Sequence, residues 1–321
     1  MQDLALIINN ALDSLDWEKQ PAGLYEPIAY ALSSGGKRIR PLLTLLGASV
    51  FGTNPQKAVP AALAIEIFHN FTLLHDDVMD NAPLRRGKPS VHAKWDDNTA
   101  ILSGDQMLIE AYKQLTLLPV SVLPDVLCVF NQMGTDICEG QQLDVDFQSK
   151  EDVSEEEYIC MIRRKTSVLL GSALQIGAII AGADVQAQNC LYEYGINLGL
   201  AFQIQDDLLD IYGDPATFGK AIGGDILEGK KTFAYIAALH TASSLQRQQL
   251  RQLLQSHPVS AQEKIQRVTQ LYNQLGVKQS CEEAVGFYTR KALANLDDVR
   301  ADKGKILMLK KLAVSLLARN D

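Results

Sequence analysis

The sequence predicts an all-α fold of roughly ten or more helices, in one domain that spans residues 1–321. Apolar residues recur at helical spacing, as with Leu4, Ile7, Ile8 and Leu12 near the start of the chain. Glycine and proline are few, 22 and 11 among 321 residues, which favours long helices over a many-turned β architecture. The chain shows no βαβ rhythm, and no linker rich in proline, serine or charge divides it.

Composition excludes several classes of protein. The net charge of −8 opposes general nucleic-acid binding, which needs clustered cations. The five cysteines form no CxxC pair, so we expect neither a disulfide framework nor a structural zinc site. We expect a reducing, cytoplasmic location. Met1–Asp3 lacks the basic start of a secretory signal. The apolar stretch Val168–Ala183 is shorter than the about 20 residues that cross a bilayer, so it predicts a core helix and no membrane span.

Helix boundaries follow from glycines and caps. Gly35-Gly36 predicts a break, after which Lys37, Arg38 and Arg40 lie near the start of a helix, an end that itself favours anions. Ser154 followed by three glutamates predicts a capped helix with an acidic first turn. Further breaks are predicted at Gly52, Gly213-Asp214-Pro215, Gly223-Gly224, His257-Pro258 and Gly304.

Two acidic motifs end two apolar helical runs. The segment HDDVMD begins at His75, and QDDLLD begins at Gln205. On a helix, Asp76 and Asp80 share one face, as do Asp206 and Asp210. Like charges at this spacing destabilise a helix, and its C-terminal dipole adds to the cost, so a bound cation is expected. Mg²⁺ fits because it binds carboxylate oxygens and keeps water and phosphate ligands, whereas no Cys or His cluster favours zinc.

Cationic segments accompany both acidic motifs. Arg85-Arg86-Gly87-Lys88 follows the first motif, and Lys220, Lys230 and Lys231 follow the second. Lys165-Thr166 precedes the apolar helix. An acidic cluster followed by a basic loop occurs twice, which predicts a site where metal ions and phosphate meet.

Three motifs together resemble the trans-isoprenyl diphosphate synthase family. GGKRIRP, HDDVMDNAPLRRG and FQIQDDLLDIYGD carry the resemblance, which runs from Gly35 to about Thr232. It implies an isoprenoid synthase fold, a helical bundle around a central cavity, usually as a homodimer. The implied reaction is head-to-tail condensation of isopentenyl diphosphate with dimethylallyl, geranyl or farnesyl diphosphate. The implied cofactor is Mg²⁺, three ions per active site bridged by the substrate diphosphate.

The resemblance also implies a role for each matching residue. Direct Mg²⁺ ligands would be Asp76, Asp80 and Asp206. Ligands through water or shared acids would be Asp77, Asp207 and Asp210. The allylic diphosphate would be held by Arg85, Lys165, Lys220 and Lys230. The reaction centre would be lined by Thr166 and Gln203. Isopentenyl diphosphate would be held by Lys37, Arg40, His69 and Arg86.

Product length is predicted from the residues before the first motif. In the family, bulk at the positions of Phe71 and Thr72 acts as a floor beneath the growing chain, which predicts C15–C20 products, with C20 slightly ahead. An ideal helix puts Thr72 rather than Phe71 on the stripe of Asp76, so ordinary core packing is the alternative for Phe71.

Two other functions stay open on the sequence alone. A class I terpene cyclase shares the fold, but the second DDxxD motif and the Lys37/Arg40 pair argue against it. A non-catalytic partner subunit of the same fold is the other alternative, although such subunits tend to lose acids and this chain keeps both sets.

Overall fold

The computed structural model describes residues 2–214, 222–255 and 260–317. Helices dominate the described residues, so the predicted all-α class is confirmed. In chain order they are α1 (Gln2–Asp13), α2 (Ala22–Ser33), α3 (Ile39–Ser49), α4 (Val59–Met79), α5 (Val91–Lys94), α6 (Asp97–Leu115), α7 (Leu123–Ser149), α8 (Glu155–Ile162), α9 (Val168–Ile180), α10 (Val185–Tyr212), α11 (Gly224–Glu228), α12 (Phe233–Thr241), α13 (Ser244–Gln255), α14 (Ala261–Gln274), α15 (Val277–Asn295) and α16 (Lys303–Leu317).

The chain groups into two compact units. The first comprises Met1–Asn131, Ser172–Tyr192 and Val299–Met308. The second comprises Gln132–Gly171, Glu193–Asp298 and Leu309–Asp321. Neither unit is a continuous segment of sequence. The single domain and its central cavity stay predictions.

Helix α4 forms the core of the first unit. Residues 61–70 are all buried, and α4 packs against α3 and α6. With the 3₁₀ turn Pro55–Ala58 before it, the segment Pro55–Met79 is long and apolar enough to cross a membrane by length and composition. The sequence reasoning did not single out this segment. Because 67% of its apolar window is buried inside the protein, we interpret it as a core helix.

Two predicted helix starts in the chain are confirmed. Helix α3 begins after Arg38, directly behind the Gly35-Gly36 break. Helix α8 begins with a reciprocal capping box, in which the Ser154 hydroxyl accepts from the Glu157 amide at 3.2 Å. The Glu157 carboxylate in turn accepts from the Ser154 amide at 2.9 Å.

The apolar stretch Val168–Ala183 forms a buried helix, α9, as predicted. The helix approaches α3 at backbone distance, because a Cβ at Gly177 would lie 2.2 Å from the Thr44 carbonyl oxygen. Any larger residue at Gly177 would therefore push the two helices apart.

A short hairpin follows the first acidic motif and was not predicted. Leu84–Arg85 pairs antiparallel with Lys88–Pro89. The two residues of its turn, Arg86 and Gly87, have φ of 53° and 76°, the left-handed backbone of a type I′ turn. This turn is what separates the directions of the two neighbouring arginine side chains.

Candidate active site

The first acidic motif occupies the C-terminal end of α4, as predicted. Asp76 and Asp77 lie in the last turn, and Asp80 is the C-cap residue. Asp76 is half-buried and Asp80 is exposed, whereas Asp77 is buried. The three carboxylates therefore have different surroundings, and Asp76 and Asp80 are the two that solvent reaches best.

Asp77 and Arg85 form a buried ion pair within the first unit. The Arg85 guanidinium donates from Nε and Nη2 to Asp77 Oδ1, at 2.9 and 2.5 Å. The Asp77 side chain is only 5% exposed, so this charge is neutralised by the arginine rather than by water. The pair ties the hairpin to α4, and it fits the indirect role predicted for Asp77 better than direct metal ligation.

Cations gather around His69 in the first unit. His69 is buried in α4, and burial lowers its pKa well below the usual value, with further lowering from the charges of Arg40 and Arg86. Arg86 reaches the loop before α3, where its Nη1 donates to the Gly35 carbonyl. Lys37 in that loop is exposed. The structure thus brings Arg40 and Arg86 close to the buried imidazole of His69, and Lys37 lies in the adjoining loop.

The second acidic motif lies near the C-terminal end of α10. Asp206 is half-buried, and Asp210 is buried. One oxygen of Asp210 accepts from the Asp225 amide at 3.1 Å, at the start of α11. Asp210 therefore fixes the beginning of α11 in the second unit.

Asp207 is the most enclosed carboxylate of the second motif. Its Oδ2 accepts from the Tyr158 hydroxyl and from the Phe233 amide at 3.0 Å, while its Oδ1 accepts from Gln203 Nε2 at 3.2 Å. Burial raises the pKa of Asp207 to about 7, with a further rise from the charge of Asp225, and these hydrogen bonds oppose the rise. Asp207 joins α8, α10 and α12 through donors that the sequence did not predict.

The predicted reaction-centre residues meet at an irregular turn. Residues Arg163–Ser167 form a π turn between α8 and α9, a feature frequent at functional sites. The Thr166 hydroxyl donates to Gln203 Oε1 at 3.1 Å, and Lys165 Nζ lies 2.5 Å from Asp144 Oδ2. The structure thus brings Thr166 and Gln203 into contact, and their role at the reaction centre stays a prediction.

Close packing of α7 holds the π turn in place. A Cβ at Gly140 would lie 2.3 Å from the Lys165 backbone nitrogen. Glycine at this position is therefore needed for the approach that puts Asp144 beside Lys165.

Two lysines that were predicted to hold the allylic diphosphate remain, Lys220 and Lys230. Lys230 is half-buried, with Nζ 2.7 Å from Glu228 Oε2 and 3.9 Å from Asp225 Oδ1. Lys220 lies outside the residues that the structure describes.

Phe71 belongs to a row of aromatic rings in the first unit. Its ring centroid lies 5.4 Å from that of Phe68 and 4.8 Å from that of His75, both edge-to-face. Thr72, the other predicted floor residue, donates its hydroxyl to the His69 carbonyl at 2.8 Å. Phe71 is half-buried.

The donor set of these motifs fits Mg²⁺. Within the described ranges no three Asp, Glu, His or Cys side chains are close enough together to hold a metal unaided. In each motif the accessible acids lie on one helix and offer hard oxygen donors. Mg²⁺ accepts such incomplete sets because it keeps waters and takes substrate phosphate as ligands.

Sequence reasoning missed Asp144, Tyr158 and Glu66. Each is a single polar residue on a helix, and each meets its partner from a distant part of the chain, 21, 49 and 28 residues away respectively. The only available signal was polarity at positions that helical periodicity assigns to a packed face.

Comparison with known proteins shows the family of the chain. The sequence model described as Polyprenyl synthetase matches residues 21–275. A geranylgeranyl pyrophosphate synthase of Geoglobus acetivorans is 42% identical over 248 residues, which cover 77% of each chain. A crystal structure of a geranylgeranyl pyrophosphate synthase aligns with a TM-score of 0.95 at 44% identity, covering 100% of this chain and 99% of the other. A second crystal structure, of a geranylgeranyl pyrophosphate synthase from Corynebacterium glutamicum complexed with isoprenyl diphosphate and magnesium, aligns with a TM-score of 0.85 at 29% identity. This alignment covers 99% of this chain and 98% of the other.

The family match spans the GGKRIRP segment and both acidic motifs. The cyclase and the non-catalytic subunit are therefore not favoured, because the relatives are prenyl diphosphate synthases. The chain belongs to the polyprenyl synthetase family, and it is a prenyltransferase of the short-chain trans-prenyl diphosphate synthase type.

Proposed function

We propose that the chain condenses isopentenyl diphosphate head-to-tail with dimethylallyl, geranyl or farnesyl diphosphate and releases C15–C20 products, with C20 slightly ahead. The observation that carries the proposal is the collection of cations around the neutral His69, on the same helix as the first acidic motif. A site of this kind holds an anion whose charge is spread over several oxygens.

Carboxylates hold the metal in the proposed reaction. Direct ligands are Asp76, Asp80 and Asp206, and indirect ligands are Asp77, Asp207 and Asp210. When bound, the Mg²⁺ ions, three per site, act as Lewis acids that neutralise the leaving diphosphate. The pairing of Asp77 with Arg85 and the three donors on Asp207 support an indirect role for these two acids.

The cationic residues hold the allylic diphosphate as its bond to C1 breaks. These are Arg85, Lys165, Lys220 and Lys230. The C1–O electron pair leaves with the diphosphate, the double bond of isopentenyl diphosphate attacks the allylic cation, and a proton passes to the released diphosphate. Thr166 and Gln203 stand at the reacting carbons, where their mutual hydrogen bond fixes both side chains.

Isopentenyl diphosphate is bound by the cations of the first unit. Lys37, Arg40 and Arg86 supply charge-assisted hydrogen bonds, and the imidazole of His69 donates a neutral one. Phe71 and Thr72 limit the length of the product. Apolar side chains around the reacting carbons keep water from the allylic cation.

The proposed assembly is a cytoplasmic homodimer of a single isoprenoid synthase domain, residues 1–321, with neither a nucleic-acid partner nor a membrane span. Helix α6 supports an interface, since Ile101, Leu102 and Ile109 lie on one side of it and are 43%, 59% and 52% exposed. Light scattering should report a dimer for the wild type and a monomer for Leu102→Glu. A monomeric wild type would refute the assembly.

A product assay tests the proposed reaction. Protein, isopentenyl diphosphate, dimethylallyl diphosphate and Mg²⁺ are incubated, and the prenyl alcohols released by phosphatase are sized. We expect C15 or C20 alcohols, none after chelation of Mg²⁺, and a loss of about 10²-fold or more in Asp76→Asn and Asp206→Asn. Asp298→Asn, at an exposed aspartate, is the matched control. Absence of elongation from all three primers would overturn the proposal.

A further inference from the structure

Arg38 has no part in the proposed reaction, although it lies between two residues that do. Its neighbours Lys37 and Arg40 are assigned to isopentenyl diphosphate. Arg38 has φ 48° and ψ 37°, a left-handed backbone that a side chain disfavours unless something holds it there. Its carbonyl accepts from the Leu42 amide at 3.2 Å, so it also starts α3.

The Arg38 side chain turns into the protein rather than toward an anion. Its Nη1 donates to Glu66 Oε1 on α4, and its Nη2 donates to the Leu32 carbonyl at the end of α2. The side chains of Arg38 and Glu66 are 12% and 3% exposed. Asn70 Nδ2 also donates to Glu66 Oε1, at 3.0 Å. One guanidinium thus fastens the loop to two helices.

The other end of the same loop is also fastened. The Gly35 carbonyl accepts from Arg86 Nη1 on the hairpin. Lys37 lies between the two attachments and is exposed. Glu66 lies three residues before His69, so the anchor and the imidazole are neighbours on α4.

We propose that Arg38 is a positioning residue for isopentenyl diphosphate, and that its ion pair with Glu66 holds the 35–38 loop and the start of α3 so that Lys37 and Arg40 reach the diphosphate. This inference rests on the proposed function. It separates three adjacent cations into two that bind substrate and one that holds them in place.

Steady-state kinetics with each substrate varied in turn tests the proposal. In Arg38→Gln we expect the KM for isopentenyl diphosphate to rise about tenfold, with kcat and the KM for farnesyl diphosphate within about twofold of wild type. Arg38→Gly permits the left-handed backbone without the anchor, so it should show the same rise. Arg267→Gln, in an exposed ion pair with Glu263 (3.7 Å), is the control and should change neither KM.

Glu66→Gln is the second test, and it carries the experiment alone where Arg38→Gln melts below the assay temperature. Glu66→Gln should also raise the KM for isopentenyl diphosphate. The double variant Arg38→Gln/Glu66→Gln should have a KM no higher than that of Arg38→Gln, because both substitutions remove the same ion pair.

The inference would be overturned by an unchanged KM for isopentenyl diphosphate in Glu66→Gln or Arg38→Gln. It would also be overturned by a wild-type KM for isopentenyl diphosphate in Arg38→Gly, or by equal rises in the KM for isopentenyl diphosphate and the KM for farnesyl diphosphate. A wild-type chain that makes no prenyl product refutes the proposed function and this inference with it. If the wild type condenses the substrates and the variants keep the wild-type KM for isopentenyl diphosphate, only this inference is refuted.

Discussion

Replacing Tyr158 with phenylalanine removes one hydroxyl from the centre of the second unit. Tyr158 and Asp207 are each 3% exposed, so water cannot easily replace the lost donor. After the change, Asp207 keeps the Phe233 amide at 3.0 Å and Gln203 Nε2 at 3.2 Å. The ring of Tyr158 stays, so no large cavity forms.

The expected magnitude follows from the type of hydrogen bond lost. At pH 8, where Asp207 with its pKa of about 7 is mostly ionised, the hydrogen bond is one to a charged group. Such a bond contributes about 1.5–3 kcal/mol, and a loss of about 2 kcal/mol corresponds to a factor of about 30. Because Asp207 also holds the first amide of α12, local opening at Phe233 should become about 30-fold more frequent. Loosening of Asp207 should also disturb Gln203 and Thr166, so kcat should fall about tenfold.

Hydrogen–deuterium exchange of the peptide that contains Phe233, together with kcat, measures both effects. Tyr194→Phe is the matched control, since Tyr194 is buried in the same unit and donates to the Leu309 carbonyl at 2.8 Å. It should cost about 1 kcal/mol of stability without faster exchange at Phe233 or a lower kcat. Unchanged exchange at Phe233 in Tyr158→Phe, or an equal change in Tyr194→Phe, would refute the reasoning.

Three further variants test other parts of the site. Because burial lowers the pKa of His69, the folded state does not take the proton that the unfolded chain takes below about pH 6.5. Wild-type stability should therefore fall as pH drops from 6.5, by up to about 1.4 kcal/mol per pH unit, and less in His69→Gln; urea unfolding at pH 5.5 and 7.5 checks this. Phe71→Ala should lengthen the products, and an unchanged product size would argue against the floor. Gly140→Ala puts a Cβ 2.3 Å from the Lys165 nitrogen, so kcat should fall about tenfold or more, and a wild-type kcat would contradict the packing argument.

Local sequence signals predicted several helix boundaries. The break predicted at Gly304 is wrong, because Gly304 lies in the first turn of α16, and the break predicted at His257-Pro258 lies outside the described residues. The Ser154 capping box and the apolar run of α9 act over a few residues, so their structures follow from short-range chemistry. The hairpin at Leu84–Pro89 escaped prediction because strands of two residues are too short for an alternating pattern.

The chemical parts of the site were visible in the sequence, but the pairing of charges was not. The Asp77–Arg85 ion pair depends on a type I′ turn that brings the hairpin back to α4. The Lys165–Asp144 pair depends on a π turn and on the close approach at Gly140. Such pairings depend on elements that meet only after packing.

The sequence by itself determined the helical class, the ends of several helices, the two acidic motifs and the cations beside them, because these follow from periodicity, capping and charge spacing within a few residues. Only the tertiary structure decided which of three neighbouring cations, Lys37, Arg38 and Arg40, pairs with Glu66. The physical reason is burial: a carboxylate at Glu66, brought from 28 residues away, costs less when a guanidinium neutralises it.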